Sequence, residues 1–211
     1  MSMFHHEDGP RTRRLLALLR RRERAVPGQR REIDARSKVF RSQAVVFTDM
    51  ADFTTRTVRD GIIHFLMVFD RFVAAARPAV ERVGGETVKV EGDSLLLRFD
   101  DPAAALHGID GIERARAVVN RNRPPNERLR ISYGMGFGEI IDIEGDLFGL
   151  EVNLASKLGE DLAKPGEVLL TPAAAAALPP DLLARVHPYR VVAFGQTALP
   201  VQQYRLRRPA R

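Results

Sequence analysis

Two acids open the chemistry of this chain. Asp49 stands at the end of the apolar, β-branched run AVVFT (44–48), which reads as a buried strand. The C-terminal end of a buried strand is where sheets carry sites. The next residues, Met50 to Thr54, read as a turn into a helix, and the free N–H groups of a helix start favour phosphate oxygens. Asp49 alone fits two roles, a cap on that helix or a ligand to a metal-bound polyphosphate. Asp93 follows Gly92 at a tight turn between Val88/Val90 and Leu95/Leu97, where Asp is also an ordinary turn residue. Should that hairpin lie beside the first strand, the two carboxylates meet at the sheet end and repel unless a cation sits between them. Hard oxygen ligands of this kind suit Mg²⁺ or Mn²⁺ with a phosphate substrate.

The elements that must position these acids follow from periodicity and breakers. Residues 54–83 carry Ile62, Phe65, Leu66, Phe69, Phe72, Val73, Ala76 and Val80 at helical spacing, in one or two helices ended by Gly84–Gly85. Residues 86–91 and 94–99 form a hairpin about Gly92–Asp93. A helix is expected from Pro102 to about Arg121, one or two strands over 129–144 and a helix over 153–162. A strand at 167–170, a short alanine-rich helix near 172–178 and strands at 186–194 and 200–206 complete the chain. That order predicts an α+β fold with a ferredoxin-like split βαβ core and a C-terminal elaboration.

Three segments then resemble one family. VVFTDMADFT (45–54) is similar to the first metal-binding motif of the class III nucleotidyl cyclases, the adenylyl and guanylyl cyclases. KVEGD (89–93) resembles their second motif, and FGLEVNLASKL (148–158) their dimer-interface motif. The likeness covers roughly residues 43–206. It implies that Asp49 and Asp93 bind two divalent cations, Mg²⁺ or Mn²⁺, for in-line phosphoryl transfer on ATP. It implies that Phe53 and Thr54 lie in the turn approaching the phosphates and that Lys89 and Asp146 read the purine. Asn153 would orient the ribose, and Lys157 would stand where the family has its transition-state arginine. A Lys/Asp pair suits adenine, so the adenylyl type is implied, with 3′,5′-cyclic AMP and pyrophosphate as products. The family site lies between two chains, which implies a head-to-tail homodimer. The second implied reading is a catalytically weak or inactive domain that binds nucleotide and acts as a regulatory dimerisation module.

Two positions depart from the family pattern. Lys157 keeps the charge of an arginine but lacks its planar fork. The late segment VVAFGQ (191–196) lacks the lysine that holds the terminal phosphates in many relatives, and Arg190 is the cation close by. GMGFG (134–138) imitates a dinucleotide fingerprint but falls within a strand pattern, so it reads as a glycine strand needed for close packing, at a dimer interface among other places. Glu86 and Glu91 read as solvated hairpin positions. His64, His107 and His187 are isolated, and nothing nearby completes a metal site around His5–His6.

Composition bounds the rest. The 211 residues hold 45% apolar and 28% charged side chains, ordinary for a globular protein. The absence of cysteine excludes disulfides, a thiol nucleophile and thiolate zinc sites. No apolar run approaches a membrane span and no secretory h-region is seen, which leads to the expectation of a cytoplasmic protein. The net charge of +6 is unevenly divided: residues 1–43 hold 12 basic and 5 acidic groups, and the rest 21 and 22. A near-neutral body argues against specific nucleic-acid binding. The expected division is a basic arm over 1–42, frayed over its first ten residues, and a catalytic domain over 43–211. RTRRLLALLRRRERA (11–25) reads as an amphipathic helix broken at Pro27–Gly28. It either caps the domain with its leucines or contacts an acidic partner or an anionic membrane surface.

Overall fold

A computed structural model describes residues 9–35, 39–195 and 197–206. His5, His6 and Gln196 lie outside the described residues. Strand β1 (Phe40–Met50) is the centre of the molecule, with Ala44, Val45 and Val46 fully buried. A strand this apolar on both faces must be covered from both sides. It runs longer at both ends than the AVVFT core. β3 (Ser94–Phe99) and β4 (Ile131–Ile143) flank it, both antiparallel. β2 (Glu86–Glu91) pairs with β3 at one edge. On the other side come β6 (Val168–Leu170), β8 (Thr197–Tyr204) and β7 (Val186–Phe194), giving the order β2-β3-β1-β4-β6-β8-β7. β6 runs parallel to β4, so the sheet is mixed. The α+β fold with a hairpin beside the first strand is therefore present.

One sheet face is covered by α4 (Ile62–Glu81) and α5 (Pro102–Asn120). Phe65, Phe69, Phe72, Ile109 and Ile112 meet Ala44, Val46 and Leu97 there. The long helical stretch divides at Gly61 into α3 (Phe53–Asp60) and α4, because Gly61 takes a φ of +83°. Asp101 starts α5 by accepting from the Ala104 N–H at 2.8 Å.

The other face is covered by α6 (Leu150–Ser156), continued by a π-helical turn over Lys157–Leu162. Val152 and Ala155 pack on Val45, Leu96, Ile140 and Leu147. The glycines of GMGFG sit in β4 under this helix. A Cβ on Gly134 would stand 2.0 Å from the Ala155 carbonyl oxygen, and one on Gly136 2.5 Å from that of Glu151. The glycine run thus seats a helix of the same chain. The 129–144 stretch is one strand, and a short strand not expected from sequence, β5 (Asp146–Phe148), folds back on it. α7 (Pro172–Ala176) follows β6, capped by the Thr171 hydroxyl, and a small helix α8 (Pro180–Leu183) had no strong signal.

The arm holds two helices where one is expected. α1 (Pro10–Arg24) ends as foreseen, but Pro27 opens a second helix, α2 (Pro27–Ala35), because proline fits the first helical position. Leu15 is buried, whereas Leu19 is 42% exposed, so only part of the leucine cluster lies on the body.

Candidate active site

Strand alternation aims the acids. Val45 and Phe47 face the α6 side of the sheet, and period two puts Asp49 on that side too. The register Thr48↔Leu95 brings the Gly92–Asp93 turn to the level of Asp49. Thr48 fixes that register with its hydroxyl, which accepts from the Leu95 N–H at 3.0 Å. Asp49 does not cap α3 but stays in the strand; Asp52 precedes α3 in a left-handed conformation (φ +66°), and its carboxylate makes no cap bond and pairs with Arg130.

The charge of Asp93 bears on Asp49. Partial burial pushes the Asp49 carboxyl up to about 6, aided by the charges of Asp93 and Glu160 and opposed by Ser132. Burial also raises Asp93, against the pull of its own backbone N–H. A pair of hard oxygen donors held close with its repulsion uncompensated fits a divalent cation. Among the described residues no group of three or more His, Asp or Glu side chains is arranged to hold a metal. The pair would therefore share any cation with oxygens from elsewhere, such as a polyphosphate and water.

Beside this pair lies a cleft of about 240 Å³. Lys89, Glu91, Asp146 and Asn153 line it over an apolar floor that includes Phe47, Leu96 and Val152. The Lys89 ammonium stands 3.0 Å from Glu91 and 3.8 Å from Asp146. Glu91 raises the Lys89 pKa, burial opposes it, and Asp146 adds a smaller upward pull. One Asp146 oxygen accepts from the Leu147 N–H at 2.9 Å, leaving the other toward Lys89. Three residues from separate parts of the sequence, Lys89, Asp146 and Asn153, thus converge on one concave surface.

Other expected site residues lie apart from it. Phe53 turns inward as the first residue of α3, its ring edge-on to Phe65 at 4.6 Å between centroids. Thr54 is exposed on the first turn of α3. Lys157 does not line the cleft; its ammonium bonds Asp161 at 2.5 Å. Arg190 lies on β7, the strand at the far edge of the sheet from β2, over the Tyr189 ring. Glu86 and Glu91 are exposed but paired, to Arg98 and Lys89. His187 bonds Gln203 at 2.9 Å.

Sequence reasoning missed Glu160, which lines the cleft, accepts from the Ser156 hydroxyl at 2.5 Å and bears electrostatically on Asp49. Its signal is the spacing Asn153, Ser156, Glu160, three and seven residues along one helix face.

The chain is 31% identical over 125 residues to an adenylate cyclase of Streptomyces coelicolor, a match covering 59% of this chain and 31% of that protein. It is 29% identical over 125 residues to an adenylate cyclase of Streptomyces griseus, covering 59% and 30%. A solved adenylate/guanylate cyclase/hydrolase from Silicibacter pomeroyi superposes with a TM-score of 0.65 at 26% identity, over 78% of this chain and 96% of that one. In sequence and in fold the chain resembles the catalytic domains of class III nucleotidyl cyclases. No family model matches it. The chain spans between a fifth and a third of the length of the curated relatives it matches. Among the described residues no helix is long and apolar enough to cross a membrane.

Proposed function

We propose that this cyclase domain is an adenylyl cyclase that converts ATP to 3′,5′-cyclic AMP and pyrophosphate at a homodimer interface. The observation that carries the reading is the meeting of Lys89 and Asp146 in one cleft, 3.8 Å apart, with Asn153 beside them. Adenine accepts at N1 and donates from its 6-amino group. Lys89 would donate to the first and Asp146 accept from the second. Asn153 would hold the ribose. Asp49 and Asp93, contributed by the partner subunit, would hold two Mg²⁺ or Mn²⁺ ions. Bound there, the ions supply charge neutralisation at the phosphates and a lowered pKa at the attacking hydroxyl. Asp49 and Asp93 would hold the ions, and the apolar cleft floor would shield the purine from water.

The test is turnover with ATP and GTP in parallel, in Mg²⁺ and then Mn²⁺, with cyclic nucleotide detected directly. Cyclic AMP that disappears in Asp93→Ala establishes the reading. Turnover that survives Asp49→Ala sinks the two-carboxylate mechanism.

A second reading has its own observation. Lys157, where the family has an arginine, is engaged by Asp161 and lies outside the cleft lining. A domain that binds nucleotide and regulates through dimerisation would need no transition-state cation. ATP binding with no product in Mn²⁺, by a folded dimer, favours it.

A further inference from the structure

The arm is bolted to the body through one turn. Glu144, between β4 and β5, accepts from the Arg11 N–H at 2.9 Å, the Thr12 N–H at 2.9 Å and the Thr12 hydroxyl at 2.6 Å. The carboxylate of the body thereby caps α1, whose own N-cap residue, Gly9, has no side chain to do so. A Cβ on Gly9 would lie 2.1 Å from the Glu144 carboxyl carbon. A second contact runs beside it. Arg11 donates to buried Asp142 at 2.6 Å, Asp142 also accepts from Arg98 on β3, and Arg98 reaches Glu86 on β2.

Both contacts end on the strands of the purine cleft. Glu86 shares β2 with Lys89, and Glu144 stands two residues before Asp146. β5, which begins at Asp146, is three residues long and pairs only with β4 among the described residues. So short an edge strand has little stability of its own. We propose that the docked arm sets the nucleotide pocket, with Glu144 and Asp142 as positioning residues that hold Asp146 and Lys89 in place for the purine. The arm is then an input to substrate affinity, and its release loosens the β4–β5 hairpin. The effect on substrate rests on the nucleotide reading above; the effect on the hairpin does not.

The experiment uses the whole chain, with Glu144→Ala, Asp142→Asn and a control, Arg20→Ala, on the exposed side of α1. Hydrogen exchange is followed at residues 10–24 and 144–149 without nucleotide, and KM and kcat are measured with ATP. Glu144→Ala is expected to speed exchange in both segments and raise KM about fivefold, the low end for coupled sites. Its kcat should stay within about twofold. Arg20→Ala should change neither. Faster exchange at 10–24 with 144–149 unchanged overturns the proposal, as does a loss of kcat at constant KM. Should Glu144→Ala not fold, Thr12→Val removes one of the three bonds and reads out the same two segments. A wild-type chain that neither binds nor turns over ATP would defeat the functional reading alone, and the exchange result would still decide whether the arm holds the hairpin.

Discussion

Glu144, in the turn after β4, and Asp49, on β1, are both carboxylates, and their environments push them in opposite directions. Partial burial would raise Glu144, but the Thr12 hydroxyl and the backbone N–H groups of Arg11 and Thr12 outweigh it and bring the group to about 2. Asp49 has burial and two neighbouring acids against only one donor, and it rises to about 6. The first acid is supplied with donors from its own chain and fastens an element. The second is left short of positive charge, as a group awaiting a cation must be. The difference is the one that the proposed metal role of Asp49 and the fastening role of Glu144 call for.

Breaking the proposed metal ligands has the largest expected effect. Asp49→Asn or Asp93→Asn should lower turnover by at least about 10³-fold, since each removes one of the two proposed metal ligands. Asp49→Asn should also raise the melting temperature without metal, because it removes the repulsion from Asp93 and Glu160. Steady-state rates in Mn²⁺ and a thermal melt check both. An unchanged rate would remove Asp49 from the site.

Lys157→Arg addresses the departure from the family. One well-placed transition-state donor is worth about 10²–10³ in rate, so restoring the fork should raise kcat by about tenfold or more with little change in KM. Asn153→Ala should lower kcat by a comparable factor. A Lys157→Arg protein no faster than wild type would place the transition-state charge on another residue.

Gly134→Ala strikes the support beneath the site. Its Cβ would meet the Ala155 carbonyl, so α6 must lift from β4, at about 1–3 kcal/mol of stability. Denaturant melts measure the loss. The arm seat at Glu144 should keep its exchange protection, because the lifted helix carries Asn153 and Glu160 and not Glu144.

The smallest effects are in pH. Glu144 sits below its unfolded value of 4.5, so its contribution is present above that pH and lost as pH falls toward 2. Asp49 sits above its unfolded value of 3.8, so without metal its stabilisation is present below that pH and lost as pH rises through about 6. Glu144→Gln should flatten the stability curve between pH 4.5 and 2. Asp49→Asn should flatten it between 3.8 and 6. Identical curves for the two variants would erase the contrast between the two acids.

Much of the core and of the site was legible in the sequence because its signals are local. The β-branched run ending in Asp49, the Gly92–Asp93 turn and the helical phenylalanines each declare their element within a few residues, and the element order then sets the hairpin beside the first strand. β5 and α8 were not legible: three or four residues carry no period, and each exists only because a neighbouring element gives it a partner. Nor does the sequence show that the Phe53 ring packs edge-on to Phe65, a contact made by the fold.

The sequence by itself determined which acids, cation and amide stand at the motif positions, and that the basic charge lies in the arm. Only the tertiary structure decided what each of those groups touches. Lys157 meets Asp161, Lys89 rests between Glu91 and Asp146, and the arm ends on Glu144, 132 residues from Thr12. Partners so far apart in the chain leave no periodic trace, because a hydrogen bond across the fold depends on where two elements pack and not on the residues beside either end.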